Sequence, residues 1–234
     1  RNQGLPATRN TSITASHGEW IALLDSDDLW TPDHLTSLVE TALETQADLV
    51  HAGSVLFDSD TGDTLSVRAP SPELVARFPQ SLFTTDYIIQ PASVLLRRSL
   101  WENVKGFNPH FRYVEDREMW LRCARSGARF AYTGRETCLY RKHAGALSTR
   151  AAEMAEASAE VFDQHLDWEL IPQSLRRQLA AEAWSSAGRL RQRQDPKVAR
   201  THFRRACELD WRFSWWLRGA LCAMRNLLNP SSSS

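Results

Sequence analysis

The chain has 234 residues, 42% apolar and 24% charged, and its 28 basic and 28 acidic side chains cancel to zero net charge. This is the composition of an ordinary soluble folded protein, and it excludes nucleic-acid binding driven by bulk basicity, though not a local basic patch. No apolar run reaches the ~20 residues that a membrane-spanning helix needs, and Cys123, Cys138, Cys207 and Cys222 lack CxxC pairing and metal-ligand spacing, as expected of free thiols in a reducing compartment.

The chain begins RNQGLPATRN, a polar loop running into a helix start, with no Met and no apolar leader before it. EWIALLD (19–25) is an apolar run of strand length. In TPDHLTSLVETALETQ (31–46), Thr31 is placed to cap a helix and Pro32 to open it, and Leu35, Leu38, Val39 and Ala42 recur at helical spacing. ADLVHAGSVLFD (47–58) predicts a strand, DSDTGDT a turn, and LSVR (65–68) the returning strand of a hairpin. ASVLLRRSLWENVKGF (92–107) predicts a strand and a short helix, and EDREMWLRCARSG (115–127) a helix closed by Gly127. ARFAYTGRETCLYRKH (128–143) predicts two more short strands. Residues 1–150 therefore read as an α/β domain.

Residues 151–230 read as helix throughout, punctuated by Pro172 and Asp195-Pro196, with 231–234 a disordered end. Within 181–210, Trp184, Gly188, Ala199, Phe203 and Ala206 stand in an order similar to one tetratricopeptide repeat. A lone repeat cannot bury its own apolar face and must pack on something. In WRFSWWLRGALCAMRNLL (211–228), helical spacing puts Phe213, Trp216, Leu217, Ala220, Leu221, Met224, Leu227 and Leu228 on one face, with Arg218 and Arg225 on its flank. That face either covers the preceding helix pair, which is the expectation, or lies in a membrane interface.

Three groups of residues could carry chemistry. Asp25, Asp27 and Asp28 follow an apolar strand, where α/β sheets place their ligand sites. Converging carboxylates repel unless a cation neutralises them, and hard oxygen ligands favour Mg²⁺ or Mn²⁺. The same acids would also suit the dipole of the helix that follows. Glu115 and Asp116 open a helix, where a carboxylate can serve as a general base or simply as a cap. His143, in YRKHAG, is a ligand candidate or an ordinary surface histidine, and Arg141 and Lys142 beside it could meet phosphate.

Taken together, ATRNTSITASHGEWIALLDSDDLWTPDHL, VKGFNPHFRYVEDREMWLRCARSG and YRKHAGALS, in this order, resemble the family two glycosyltransferases over residues 1–150. LDSDD looks like that family's DxD motif, VED like its xED motif, and YRKH like its closing histidine segment. The resemblance implies a GT-A fold, a Rossmann-like mixed sheet that binds a nucleotide-diphospho-sugar, here lacking its first strands and extended by an α-helical C-terminal appendage. Family members carry roughly 80 further residues before the loop that RNQGLPATRN resembles, so a fragment with an unpaired sheet edge is expected.

The resemblance also implies roles. Asp27 would ligate Mn²⁺ or Mg²⁺, with Asp25 and His143 completing the metal site. Arg9, Asn10, Asp25, Asp28 and Arg141 would contact the donor, and Asp116, or else Glu115, would be the base of an inverting transfer. Trp120 fits an aromatic position after ED or a core position, and Lys105 departs from the Gly common in the family. Implied partners are a nucleotide-diphospho-sugar donor and a glycan or lipid-linked acceptor, with no nucleic acid. The expected location is cytoplasmic, peripheral at the inner face of a membrane through 211–228. The competing readings are an inactive scaffold, an interaction module acting through the helical tail, and a metal-dependent phosphohydrolase, which would leave the ED and YRKH segments unexplained.

Overall fold

The computed structural model describes residues 3–84, 87–142 and 150–228, with side chains to Met224. The chain divides into two compact units, Arg1–Ala146 and Leu147–Ser234. In the first, α1 (Leu5–Ala15) leads to β1 (Trp20–Ala22), β2 (Leu29–Trp30), α2 (His34–Thr45), β3 (Leu49–Asp58) and β4 (Thr64–Arg68). The short helices α3 (Pro72–Ala76) and α4 (Gln80–Phe83) follow, then β5 (Val94–Arg97), α5 (Arg98–Asn103), α6 (Glu115–Arg125) and β6 (Phe130–Lys142).

The strands form one mixed sheet in the order β1-β5-β3-β6-β2, with β4 paired to β3 as the expected hairpin. Only β3 and β6 run parallel; the other pairings are antiparallel. β3 is central, and Leu49, Val50, His51, Ala52, Gly53 and Ser54 are all buried. A strand covered on both faces loses the apolar–polar alternation, which is why ADLVHAGSVLFD reads as a continuous run. Val50, Ala52 and Leu95 pack with Leu38, Ala42 and Ala47 into one core cluster. Among the described residues β1 pairs on one side only, with β5.

Two elements differ from the sequence reading. Helix α2 begins at His34, not beside Thr31, because the Thr31 N–H donates to the Thr137 carbonyl at 3.0 Å and extends the β2–β6 ladder. Its buried stripe is His34, Ser37, Leu38 and Ala42, while Leu35 and Val39 face outward. β6 is one strand rather than two: Gly134, at φ +72°, lets the chain bulge. Its register against β3 slips between His51–Tyr132 and Gly53–Glu136 without the strand ending.

The second unit is α7 (Ala151–Gln164), α8 (Gln173–Arg191), α9 (Pro196–Leu209) and α10 (Phe213–Leu228). The Asp195 carboxylate caps α9 by accepting from the Lys197 and Val198 N–H groups at 3.0 and 3.1 Å, and Pro196 supplies its first turn. Gly188 lets α8 close on α9: a Cβ there would sit 2.9 Å from the Phe203 ring. This small-against-large contact is the feature that the repeat-like order of Trp184, Gly188, Ala199 and Phe203 expresses. Glu156 on α7 accepts two hydrogen bonds from Arg191 at 2.8 and 2.7 Å and pairs with His202 at 3.0 Å, tying three helices together.

The expected packing role of the α10 apolar face is not what the structure shows. The helix seats on α9 through Trp215 and Cys222, both buried, with Gly219 against Phe203. Phe213, Trp216, Leu217, Leu221 and Met224 point to solvent, 59%, 54%, 41%, 42% and 49% exposed.

Candidate active site

The LDSDD segment lies in the connection between β1 and β2. It turns tightly, the Asp28 N–H donating to the Asp25 carbonyl at 3.1 Å. The turn sends its three carboxylates to three environments. Asp27 is exposed, Asp25 is half-buried, and Asp28 is buried.

Arg9 on α1 organises the site. Its guanidinium is buried and donates through Nη2 to both Asp25 oxygens, at 2.8 and 2.9 Å, and through Nη1 to Glu115 Oε1 at 2.6 Å. It also lies 5.4 Å from the centre of the Phe107 ring. Burial works against the charge, yet Asp25, Glu115 and Asp116 hold the group above its usual range. One fixed cation thus joins the LDSDD turn to the start of α6. Its neighbour Asn10 pairs in both directions with the Phe107 backbone, at 2.7 and 2.9 Å, and so pins α1 to the segment after α5. The following turn is built for this: Gly106 sits at φ +67°, and a Cβ there would come within 2.7 Å of Asn10 Oδ1.

Helix α6 begins under strain. Val114, its N-cap, is β-branched and yet at φ +53°, a conformation that usually costs about 1–3 kcal/mol and concentrates at functional sites. It is the residue directly before Glu115 and Asp116. Glu115 is buried against Arg9. Asp116 Oδ1 accepts from the Arg117 N–H at 2.7 Å. Burial raises the proton affinity of both carboxyls, and each sits in the field of other nearby acids. Arg117 reaches back to the Phe83 carbonyl at 2.9 Å, and Trp120, fully buried, donates to the Ile89 carbonyl at 3.1 Å. Trp120 therefore serves the core.

At the other end of the site, Asp28 Oδ1 accepts from the Arg141 N–H at 3.0 Å, and Arg141 Nε donates to the Asp27 carbonyl at 2.8 Å. The Arg141 guanidinium also covers Phe57, 4.8 Å from its ring centre. Burial pushes the Asp28 carboxyl up to about 6, and its Oδ2 has no hydrogen-bond partner. These contacts anchor the end of β6, which contains Tyr140, Arg141 and Lys142 of YRKH. His143 lies outside the described residues.

Among the described residues no three His, Cys, Asp or Glu side chains converge as a ready-made metal cage. The donor set nevertheless fits a cation of the Mg²⁺ kind, which usually takes one or two carboxylates and completes its shell with water and substrate phosphate. Asp27 is exposed at the turn. Asp25 is less available, since both of its oxygens face Arg9.

Sequence reasoning missed the grip of α6 on the loop after α5. Arg122 pairs with Glu118 through two bonds, at 2.7 and 2.8 Å, and donates to the carbonyls of Val104 and Gly106. The four-residue spacing of Glu118 and Arg122 was the available signal, but nothing in it named the loop. Within that loop Lys105 takes φ +62°, so this departure from Gly is accommodated in a left-handed backbone. All four cysteines are free, and burial pushes the Cys123 and Cys138 thiols up to about 12.

Residues 1–104 match the family model described as Glycosyl transferase family 2. The succinoglycan biosynthesis protein ExoO of Rhizobium meliloti (strain 1021) is 29% identical over 159 residues, covering 63% of this chain and 45% of ExoO. The uncharacterized glycosyltransferase YwdF of Bacillus subtilis (strain 168) is 28% identical over 127 residues, covering 53% of this chain and 46% of YwdF. The chain thus spans about half the length of these relatives. The crystal structure of S. aureus TarS 1-349 in complex with UDP-GlcNAc superposes with a TM-score of 0.62 at 14% identity, covering 97% of this chain and 70% of that one. At that identity the likeness shows a shared fold, a GT-A-like mixed sheet with appended helices. Residues 1–104, within the first unit, are thus similar to the family 2 glycosyltransferases.

Proposed function

We propose that the first unit is the catalytic domain of an inverting glycosyltransferase, which moves a sugar from a nucleoside-diphosphate donor to a hydroxyl of a glycan or lipid-linked acceptor. The observation that carries this is the Arg9 bridge: one buried cation holds the LDSDD carboxylate Asp25 and the α6 carboxylate Glu115 on its two arms. Donor and acceptor functions therefore meet at one place. The TarS complex, which holds UDP-GlcNAc in a related fold, supports a nucleotide-sugar as the donor class.

Within that reading Asp116 takes the proton of the acceptor hydroxyl, its affinity raised by burial toward the range a base needs at neutral pH. Glu115, committed to Arg9, holds the base in place. Asp25 and Arg9 orient the donor, and Asp28 fixes the Arg141 backbone beside the diphosphate. Asp27 would hold Mg²⁺ or Mn²⁺, which when bound stabilises the charge on the departing nucleoside diphosphate. The transfer is one displacement at the anomeric carbon, and the configuration inverts. We place the reaction in the cytoplasm, at the inner face of a membrane.

The test uses the intact protein with a panel of nucleotide-sugars. Transfer, followed by nucleoside-diphosphate release and by the anomeric configuration of the product in NMR, should depend on Mg²⁺ or Mn²⁺ and fall strongly in Asp27→Asn. Undiminished transfer in excess chelator removes the cation from the proposal, and a product with retained configuration removes the mechanism.

A further inference from the structure

We infer that the outward face of α10 is a docking surface for an anionic lipid bilayer. Soluble monomers rarely leave a contiguous face of large apolar side chains to solvent unless something binds it. Here Trp211, at 64% exposure, precedes the outward Phe213, Trp216, Leu217, Leu221 and Met224. The face is not an opened packing surface: α10 already buries its opposite side, Trp215 and Cys222, against α9. Phe213 and Trp216 stack, their ring centres 5.8 Å apart, so the aromatic part of the face is pre-ordered.

Charge selects the occupant. From Trp211 to Ser234 the sequence holds Arg212, Arg218 and Arg225 and no Asp or Glu, although the whole chain balances to zero. Arg212 is committed to Asp210 and Glu182. Arg218 and Arg225 fall together on one flank of the apolar stripe at helical spacing. An apolar stripe with Trp and Phe, edged by Arg and free of acids, is the pattern of a helix lying in the headgroup region. A second copy is a poor fit, because two such faces would bring Arg218 and Arg225 against their own copies with no carboxylate on either helix to answer them, and like charges across an interface are costly. The inference does not rest on the catalytic reading.

The test is flotation of the intact protein with phosphatidylcholine vesicles, with and without phosphatidylglycerol. The protein should float with the anionic vesicles, less so in high salt, and hardly with the neutral ones. The variant Trp216→Ser/Leu217→Ser/Leu221→Ser, whose altered positions all face solvent, should keep its circular dichroism and bind at least tenfold more weakly. Arg218→Gln/Arg225→Gln should keep the fold and lose the preference for phosphatidylglycerol. Asp116→Asn should float as the parent does, which separates this result from any failure of the enzymatic proposal. No flotation of the parent with anionic vesicles overturns the inference, as does a triple variant or an arginine variant that floats unchanged. Light scattering that shows a dimer split by the triple variant, without flotation, assigns the face to a second copy instead.

Discussion

Removing the Arg9 guanidinium should destabilise the first unit in a way that acid reverses. Arg9→Gln keeps much of the volume and removes three hydrogen bonds of 2.6–2.9 Å to two carboxylates. Those carboxylates differ: Asp25 is 29% exposed at its side chain and can rehydrate, whereas Glu115 is 8% exposed and cannot. Deleting one partner of a buried pair costs about 3–5 kcal/mol, and rehydration of Asp25 points to the lower end, about 3 kcal/mol. Converted at roughly 2–4 °C per kcal/mol for a domain of this size, the melting temperature should fall by about 6–12 °C. The pH dependence has a definite sign. The Glu115 carboxyl is already raised by burial, and without Arg9 it rises further. A carboxyl raised in the folded state costs stability only while ionised, and Glu115 already stands at about 7 in the parent, so the deficit is full at alkaline pH and shrinks as the pH falls through that range and protonates it. Calorimetry of parent and variant at alkaline pH and at mildly acidic pH reads both effects, and the double variant Arg9→Gln/Glu115→Gln should recover part of the loss. A deficit under about 0.5 kcal/mol at alkaline pH, the size of an ordinary surface substitution, would refute the bridge as a structural element. So would a deficit that grows on acidification.

The same logic makes Asp116 costly to the fold and useful to the reaction. Asp116→Asn should lower turnover by about 10²–10⁴-fold, the usual scale for a general base, while raising the melting temperature at alkaline pH and leaving it unchanged in acid; wild-type turnover in the variant would move the role to Glu115. In the parent, turnover should fall as pH drops through the raised Asp116 range, since the protonated base cannot accept, and a flat acid limb in the rate profile would contradict the assignment. In the second unit, Gly188→Leu drives a side chain into the Phe203 ring, 2.9 Å from where its Cβ would lie; overpacking of this kind costs about 1–3 kcal/mol, measurable by urea titration, whereas Ala at the exposed neighbour Arg189 should be neutral.

What could be read in the sequence was what depends on local order. The β3–β4 hairpin, the α6 helix with its Gly127 stop, and the Asp195–Pro196 start of α9 are each decided by a few adjacent residues, and each stands in the structure where its signal lies. The misreadings share the opposite property. Thr31 has the chemistry of a cap, but its N–H is claimed by Thr137, 106 residues away. Gly134 looks like the end of a strand until β3 supplies a partner on both sides of the bulge. The candidate site divides in the same way. The LDSDD, VED and YRKH segments are visible as motifs, and the resemblance names Arg9 as a donor contact, but nothing in the sequence says that Arg9 joins two of them. No spacing rule connects positions separated by 106 residues; the fold alone does.

Helix α10 shows why counting apolar residues cannot choose a buried face. Its larger apolar stripe, Phe213, Trp216, Leu217, Leu221 and Met224, outweighs the pair Trp215 and Cys222, yet the smaller set is the buried one. The choice follows from how closely two helices can approach. Gly219 lies in the seam, where an added Cβ would stand 3.5 Å from the Phe203 Cβ, an ordinary contact, so the seam has room for a small residue at this position. The dispersion gained over a close contact falls steeply with a gap of 0.5–1 Å, so a small residue in the middle of the seam is worth more to packing than another leucine beside it. Phe203 thereby meets Gly188 on α8 and Gly219 on α10. Once that seam is made, the broader stripe has nowhere to go but outward, and its retention there, edged by arginines and lacking any acid, is a property of the sequence that packing within this unit does not require.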